Sequence, residues 1–207
     1  MTGGSGDKTH RRPLDDRKAE LRRRLVAARR ALPPETRAAH AEALRPRVLA
    51  LAAGAGETVC AYLPIGSEPG SAALLDALRA GGHEVLVPVV PPAPGPLDWG
   101  RYTGPDDVGA GPLGLREPRG PRLGVGAIGR AALVLVPGLA ADPSGVRLGR
   151  GGGYYDRTLP GARPGTPLAV LLHEGELVDA LPADTYDVSV TAAVLPVRGT
   201  VPLGNIH

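Results

Sequence analysis

The residues that could do chemistry are concentrated between Leu135 and Leu159. Gly145, Gly149, Gly151, Gly152 and Gly153 share that stretch with Arg147, Arg150 and Arg157, and Tyr154-Tyr155-Asp156 follows the last glycine. Consecutive glycines let backbone N–H groups point at one object, because no Cβ blocks the approach. A helix starting behind them adds further donors and partial positive charge. Such a loop can hold phosphate. It is not a Walker A loop, since no Gly-Lys-Ser/Thr follows, and the dinucleotide-binding spacing is absent too. An acid inside an arginine-rich loop needs a cation. For Asp156 that is either an arginine partner or a Mg²⁺ ion bridging the carboxylate to a phosphate. The plainer alternative is a glycine-rich turn between a strand and a helix.

The elements around this loop follow from hydrophobic pattern and breakers. Ala131–Val136 reads as a buried strand closed by Pro137-Gly138, and Tyr154 opens a helix. Ahead of it, residues 1–13 are Gly, Ser and charge and read as a disordered tail. Asp15 or Asp16 caps a helix running to about Ala31, with Leu21, Leu25 and Ala28 on one face. Leu32-Pro-Pro34 ends it, and a second helix, disturbed at Pro46, closes near Gly54. Then come a strand (Thr58–Leu63), a helix (Ser71–Arg79), a strand (Glu84–Val90) and an edge strand (Leu97–Tyr102). Residues 103–130 read as loop-rich. Pro167–Leu172 is another apolar run, a short helix is expected around Leu177–Leu181, and Val188–Leu195 is a late strand. The pattern predicts one α/β layered domain over residues 14–207. A helical hairpin at 14–54 precedes a core at 55–207, whose mostly parallel or mixed sheet is flanked by helices.

Composition sets the bounds. The 207 residues are 43% apolar, with no Phe and one Trp, so the core must be built from Ala, Val and Leu. The net charge of +3 is uneven: residues 1–47 hold 11 Arg and 2 Lys against 6 acids. That surplus suits RNA, a membrane surface or a phosphorylated ligand, or is simply a solvated helix face. Cys60 is the only cysteine, which excludes a disulfide framework and a cysteine metal site. No apolar run approaches the roughly 20 residues of a membrane span, and the N-terminus lacks a signal-peptide core. A cytoplasmic protein is expected.

Arg147-Leu-Gly-Arg-Gly-Gly-Gly-Tyr-Tyr-Asp156, behind Val136-Pro-Gly-Leu-Ala-Ala-Asp142, resembles the signature of the 5-formyltetrahydrofolate cyclo-ligase (5,10-methenyltetrahydrofolate synthetase) family. Lys18-Ala-Glu-Leu-Arg22, Tyr62–Ser71, Gly114–Pro118 and Leu181–Asp187 resemble further family segments, so the likeness spans about residues 18 to 195. It implies ATP contacts from Lys18, Arg22 and the run Arg147, Leu148, Gly149, Arg150, Gly151, Gly152, Gly153, Tyr154 and Tyr155. It implies folate contacts from Leu63, which would pack on the pterin, from Glu68, which would hydrogen-bond it, and from Arg150, Gly151, Gly152, Gly153 and Tyr154. Asp156 and Asp187 would hold Mg²⁺, and Arg150 and Tyr154 would act in catalysis. The chain departs from the family pattern at Ala141, where Phe is usual, at Gly152, where some members carry Lys, and at Tyr186, where His is usual. Glu68-Pro-Gly-Ser71 also replaces a commoner Glu-x-Asp-Thr.

The implied reaction activates the formyl oxygen of 5-formyltetrahydrofolate by ATP phosphorylation. N10 then attacks, giving 5,10-methenyltetrahydrofolate, ADP and phosphate. Such an enzyme is expected to be a monomer with small-molecule partners and without membrane or nucleic-acid partners. The alternative from another class is a non-catalytic relative that binds RNA or a nucleotide through its basic N-terminal hairpin. That hairpin lacks the interleaved aromatics that stack bases.

Overall fold

The computed structural model describes residues 8–204. Helix α1 spans Lys8–Ala31 and α2 spans Pro34–Ala53. Of the segment read as a tail, residues 8–13 are therefore the first turns of α1, and residues 1–7 lie outside the described residues. Asp15 and Asp16 sit inside the helix and do not cap it. The inward face of α1 also differs from the apolar pattern: Lys18, Leu25 and Arg29 are buried while Ala28 is exposed. Two cations stand where the spacing suggests only an apolar stripe. Proline at the first position of α2 is pre-set for a helix and needs no N–H there. Pro46 does not break α2. It lies on the exposed side, where water can satisfy the carbonyl its missing N–H leaves free.

Beyond the hairpin, β1 (Thr58–Cys60), α3 (Ala72–Ala80), β2 (Glu84–Val89) and β3 (Asp98–Arg101) follow in order. The loop-rich stretch contains a small hairpin of β4 (Val108–Ala110) and β5 (Arg116–Pro118). The chain then forms β6 (Leu133–Pro137), the two-residue strands β7 (Ala140–Ala141) and β8 (Arg147–Leu148), and the single turn of α4 (Tyr154–Thr158). It ends with β9 (Leu168–Leu171), β10 (Ala192–Leu195) and β11 (Gly199–Pro202). No helix forms at Leu177–Leu181. Leu177 instead bridges to Ala141, and the Leu181 N–H is taken by Asp142, so tertiary bonds replace the helical ladder.

The main sheet has seven strands in the order β11-β10-β9-β6-β1-β2-β3. Its five central strands are parallel, and an antiparallel strand closes each edge. The central strands are buried on both faces, as Leu133–Val136 and Leu168–Leu171 show. That is why they read as continuous apolar runs without alternation. Helices α2 and α3 pack on one face around Leu44, Val48, Leu74, Leu75 and Leu78. Truncating a fully buried leucine such as Leu44 should cost about 2–5 kcal/mol. The chain leaves β1 for β2 on one side and later returns to β6 on the other. The carboxyl ends of β1 and β6 therefore flank the point where strand order reverses, the usual ligand crevice of an open α/β sheet.

Candidate functional site

Two loops leave that crevice. The one after β1 carries Leu63 and Glu68, and the one after β6 carries Arg147 and the glycines. Tyr62 anchors the first by donating from its hydroxyl to the Pro69 carbonyl at 2.8 Å. A tight turn follows: the Glu68 N–H donates to the Ile65 carbonyl (3.1 Å), and the Ile65 N–H donates to Glu68 Oε2 (3.0 Å). Leu63 is buried at the base of this loop.

The second loop is built by Asp142 and Arg147. Asp142 is buried, and its Oδ1 accepts from the Ser144 and Val146 N–H groups, while its Oδ2 accepts from the Leu181 N–H. At the bend, Gly145 has φ +89°, and a Cβ there would lie 2.6 Å from the Val190 carbonyl oxygen, so glycine is required. Arg147 is buried and bonds inward, to the Pro137 carbonyl (3.1 Å) and Asp156 Oδ1 (2.8 Å), with its guanidinium 5.8 Å from the centre of the Tyr155 ring. It braces the loop. Leu148 packs its side chain with Leu25, Leu139 and Leu181, and its carbonyl accepts from the Leu139 N–H at 2.7 Å.

Gly149 to Gly153 arch beyond this brace. The Gly149 carbonyl accepts from Arg22 Nε at 2.9 Å, which seats α1 on the loop. Gly153 has φ +66° and turns the chain into α4, which is only five residues long. The loop's positive potential therefore comes from free N–H groups and arginines more than from a helix dipole. Tyr154 lies under the Arg157 guanidinium, 5.3 Å from its ring centre. The Tyr155 hydroxyl is buried and unpartnered, and burial with Glu68 nearby raises its pKa well above the phenol range.

The two loops meet where Arg150 Nε lies 3.0 Å from Glu68 Oε1. The glutamate side chain is 10% exposed and the arginine 50%. Beside this pair, Val26, Arg30, Arg37, Ile65, Ser67 and Arg150 line a hollow of about 390 Å³. Each acid proposed for the metal has one cationic neighbour. Asp156 pairs with Arg147, and Asp187 Oδ2 takes Lys18 Nζ at 2.6 Å and the Asp184 N–H at 2.7 Å. Lys18 is 7% exposed, so its fragment is not the solvated helix face that a lone lysine suggests. Among the described residues no three acid, imidazole or thiol groups cluster into a ready metal cage. Oδ2 of Asp156 and Oδ1 of Asp187 have no partner among them.

Several site-building residues were assigned no role from the sequence. Arg29 is 2% exposed. Its Nε and Nη2 meet Glu176 Oε1 and Oε2 at 2.6 and 2.7 Å, and Nη2 also reaches the Gly138 carbonyl at 2.5 Å. Its position four residues after Leu25, on the buried face, was the only available hint. Glu117, in the Gly114–Pro118 segment, receives the Val90 N–H on Oε1 at 2.8 Å and so clamps the β4–β5 hairpin to the end of β2.

Residues 15–196 match the sequence profile of the 5-formyltetrahydrofolate cyclo-ligase family. A 5-formyltetrahydrofolate cyclo-ligase of Mycolicibacterium smegmatis is 46% identical over 190 residues, covering 90% of this chain and 97% of that one. One from Escherichia coli K12 is 31% identical over 141 residues, 67% of this chain and 78% of the other. Among solved structures, the 5,10-methenyltetrahydrofolate synthetase of Aquifex aeolicus superposes with a TM-score of 0.72 at 26% identity, covering 92% and 94% of the two chains. The synthetase of Mycoplasma pneumoniae shares the fold, with a TM-score of 0.67 at 19% identity over 85% and 96%. With its own sheet, glycine loop and matched length, the chain belongs to the 5-formyltetrahydrofolate cyclo-ligase family.

Proposed function

We propose that this protein is an enzyme that converts 5-formyltetrahydrofolate to 5,10-methenyltetrahydrofolate at the expense of ATP. The observation that carries the reading is the contact between Arg150 of the glycine loop and Glu68 of the β1 loop, at the switch point of the sheet. It puts a phosphate-type loop against an acceptor suited to the donor edge of a pterin. The formyl oxygen is a poor leaving group until it carries phosphate. The γ-phosphoryl group passes to that oxygen, N10 attacks the activated carbon and loses its proton, and phosphate departs. The protein's task is alignment and charge neutralisation.

In this reading Arg150 and the Gly151, Gly152 and Gly153 amides receive the transferring phosphoryl group. Tyr154 bonds the formyl group or phosphate, and Leu63 and Glu68 hold the pterin. Arg22, seated on the Gly149 carbonyl, and Lys18 bring α1 over the nucleotide. Asp156 and Asp187 suit Mg²⁺. Each offers an unpaired oxygen, and Mg²⁺ commonly takes one or two carboxylates, completing its shell with phosphates and water. When bound, the ion neutralises phosphate charge.

The same reading makes the protein a cytoplasmic monomer with small-molecule partners. Among the described residues no helix is long and apolar enough to cross a membrane. The RNA-binding alternative gains no support, because Lys18, Arg22 and Arg29 of the basic hairpin bond inward. The test is direct. Purified protein with Mg-ATP and 5-formyltetrahydrofolate should develop the absorbance of the methenyl product, and no absorbance change together with no folate binding would refute the assignment.

A further inference from the structure

A buried polar network lies behind the β1 loop, and none of the roles above uses it. Its centre is His173, 1% exposed, just after β9. The ring Nε2 lies 3.1 Å from the Ser67 carbonyl oxygen, and Nδ1 lies 3.0 Å from Nδ1 of His40 on α2. The His173 backbone N–H donates to Glu176 Oε2 at 2.8 Å. The same carboxylate is held by Arg29 of α1, which also reaches the Gly138 carbonyl at the end of β6.

Proton placement follows from the partners. A carbonyl only accepts, so His173 Nε2 carries the hydrogen and donates to Ser67. In the neutral ring Nδ1 is then an acceptor, and His40 Nδ1–H is its donor. The chain of bonds runs one way, from His40 through His173 to the carbonyl next to Glu68. Ser67 lies inside the turn closed by the two Ile65–Glu68 bonds. Fixing its carbonyl fixes the peptide plane that leads into Glu68. The other end of the network sits on α1, the helix that carries Lys18 and Arg22.

We propose that His173 is a positioning residue for folate: its bond to the Ser67 carbonyl sets the angle at which Glu68 meets the pterin, and Arg29 and Glu176 tie that setting to the seat of α1. The proposal rests on the reading that Glu68 receives the pterin. Burial lowers the pKa of His173, and the nearby Arg29 and His40 lower it further, against the raising effects of the Ser67 carbonyl and Glu176. The donor to Ser67 is therefore present in the neutral ring at pH 7, with no charge to neutralise.

The test compares His173→Leu, which fills space without a donor, with His173→Gln, whose amide nitrogen can replace Nε2. His173→Leu should raise the KM for 5-formyltetrahydrofolate about tenfold, the worth of one buried hydrogen bond, and leave the KM for ATP within about twofold. His173→Gln should restore most of the loss. In a double-mutant cycle, His173→Leu should cost little extra in a Glu68→Gln background, because both changes act on one contact. Equal rises in both KM values, no rescue by glutamine, or full additivity with Glu68→Gln would each overturn the proposal. If His173→Leu does not fold, the pH profile of His173→Gln decides. Protonating the wild-type ring sets a new N–H against His40 and a charge beside Arg29, with Glu176 the one acid facing it among the described residues. The wild-type folate KM should therefore climb only as the pH falls below the ordinary imidazole value of 6.5, since burial holds the ring's pKa lower, and the glutamine variant should stay flat. A matching climb in the variant overturns the proposal. A wild type that makes no methenyl product would sink the functional reading itself, whereas turnover with an unmoved folate KM in His173→Leu sinks only the role of His173.

Discussion

Arg150 and Glu68 hold each other across the crevice, guanidinium Nε to carboxylate Oε1 at 3.0 Å, so under the proposed function each stands where the other's ligand would bind. On that proposal, a pterin that takes Glu68 would displace Arg150 and free its guanidinium for a phosphoryl group.

The consequence is measurable. Arg150→Ala should lower kcat by about 10²-fold or more, the scale of losing one oriented donor at a developing charge. The melting temperature should fall less than in Lys18→Ala: Glu68 is only 10% exposed, but Arg150 is 50% exposed, so water can enter where its guanidinium leaves. Glu68→Gln should raise the folate KM while leaving the ATP KM near wild type. A large fall in melting temperature with intact specific activity in Arg150→Ala would mark the pair as structural.

Lys18 and Asp187 make a different kind of pair. Lys18 Nζ is 2.6 Å from Asp187 Oδ2, with side chains 9% and 21% exposed. Removing the lysine leaves a largely buried carboxylate without its cation, a costly state. Lys18→Ala should therefore lower the melting temperature as well as raise the ATP KM. Arg22→Ala removes a side chain that, among the described residues, bonds to the Gly149 carbonyl alone; under the proposed function it should raise the ATP KM about tenfold or more with little loss of stability, in keeping with roughly 1.5–3 kcal/mol for a hydrogen bond to a charged group. Thermal melts beside ATP kinetics separate the two. Equal melting temperatures would contradict the difference in burial.

The parallel core was legible in the sequence because strands buried on both faces are unbroken apolar runs, and Ala131–Val136, Glu84–Val90 and Pro167–Leu172 each fall on one. The glycine loop was legible because residues 145–153 combine glycines with arginines at a strand end. What stayed hidden depends on partners distant in sequence. Glu176 reads as a loop acid until Arg29, 147 positions away, bonds it. Leu177–Leu181 reads as a helix until Ala141 and Asp142 claim its bonds. Strand β11 is short and alternates between half-buried and exposed, so it gave no apolar run.

Arg29 and Glu176 form the most deeply buried ion pair of the described residues, with side chains 2% and 8% exposed. Glu176→Ala strands a guanidinium and should destabilise the fold by about 3–5 kcal/mol. Cys60 supplies the readout. It is wholly buried and its thiol is pushed up to about 12, chiefly by that burial, so the native protein should resist thiol reagents at pH 8. Labelling then waits on opening of the core. It should run at least about a hundredfold faster in Glu176→Ala, the factor that such a loss of stability implies when labelling tracks the open population. Fast labelling of the wild type, or an unchanged rate in the variant, would count against the buried pair as a major contributor.

Asp156 stands between two cations, one present in the chain and one expected with ATP. Arg147 holds Oδ1 at 2.8 Å, and the acid is otherwise open, its side chain 29% exposed. Asp156→Asn keeps an acceptor for Arg147, so the brace on the Pro137 carbonyl should survive and the fold should hold. On the proposed Mg²⁺ assignment, what the asparagine loses is the charge that would draw a hard divalent ion to the phosphates. The Mg²⁺ concentration for half-maximal activity should therefore rise about tenfold or more, about 1.4 kcal/mol of lost attraction, with the folate KM little changed. Calorimetric titration with ATP should show the same loss: Mg²⁺ should strengthen nucleotide binding to the wild type and much less to the variant. Asp187→Asn should weaken the same Mg²⁺ response while also releasing Lys18, so its melting temperature should fall where that of Asp156→Asn does not. If both variants keep the wild-type Mg²⁺ response, the two acids serve Lys18 and Arg147 alone, and the ion must be held by the nucleotide without them.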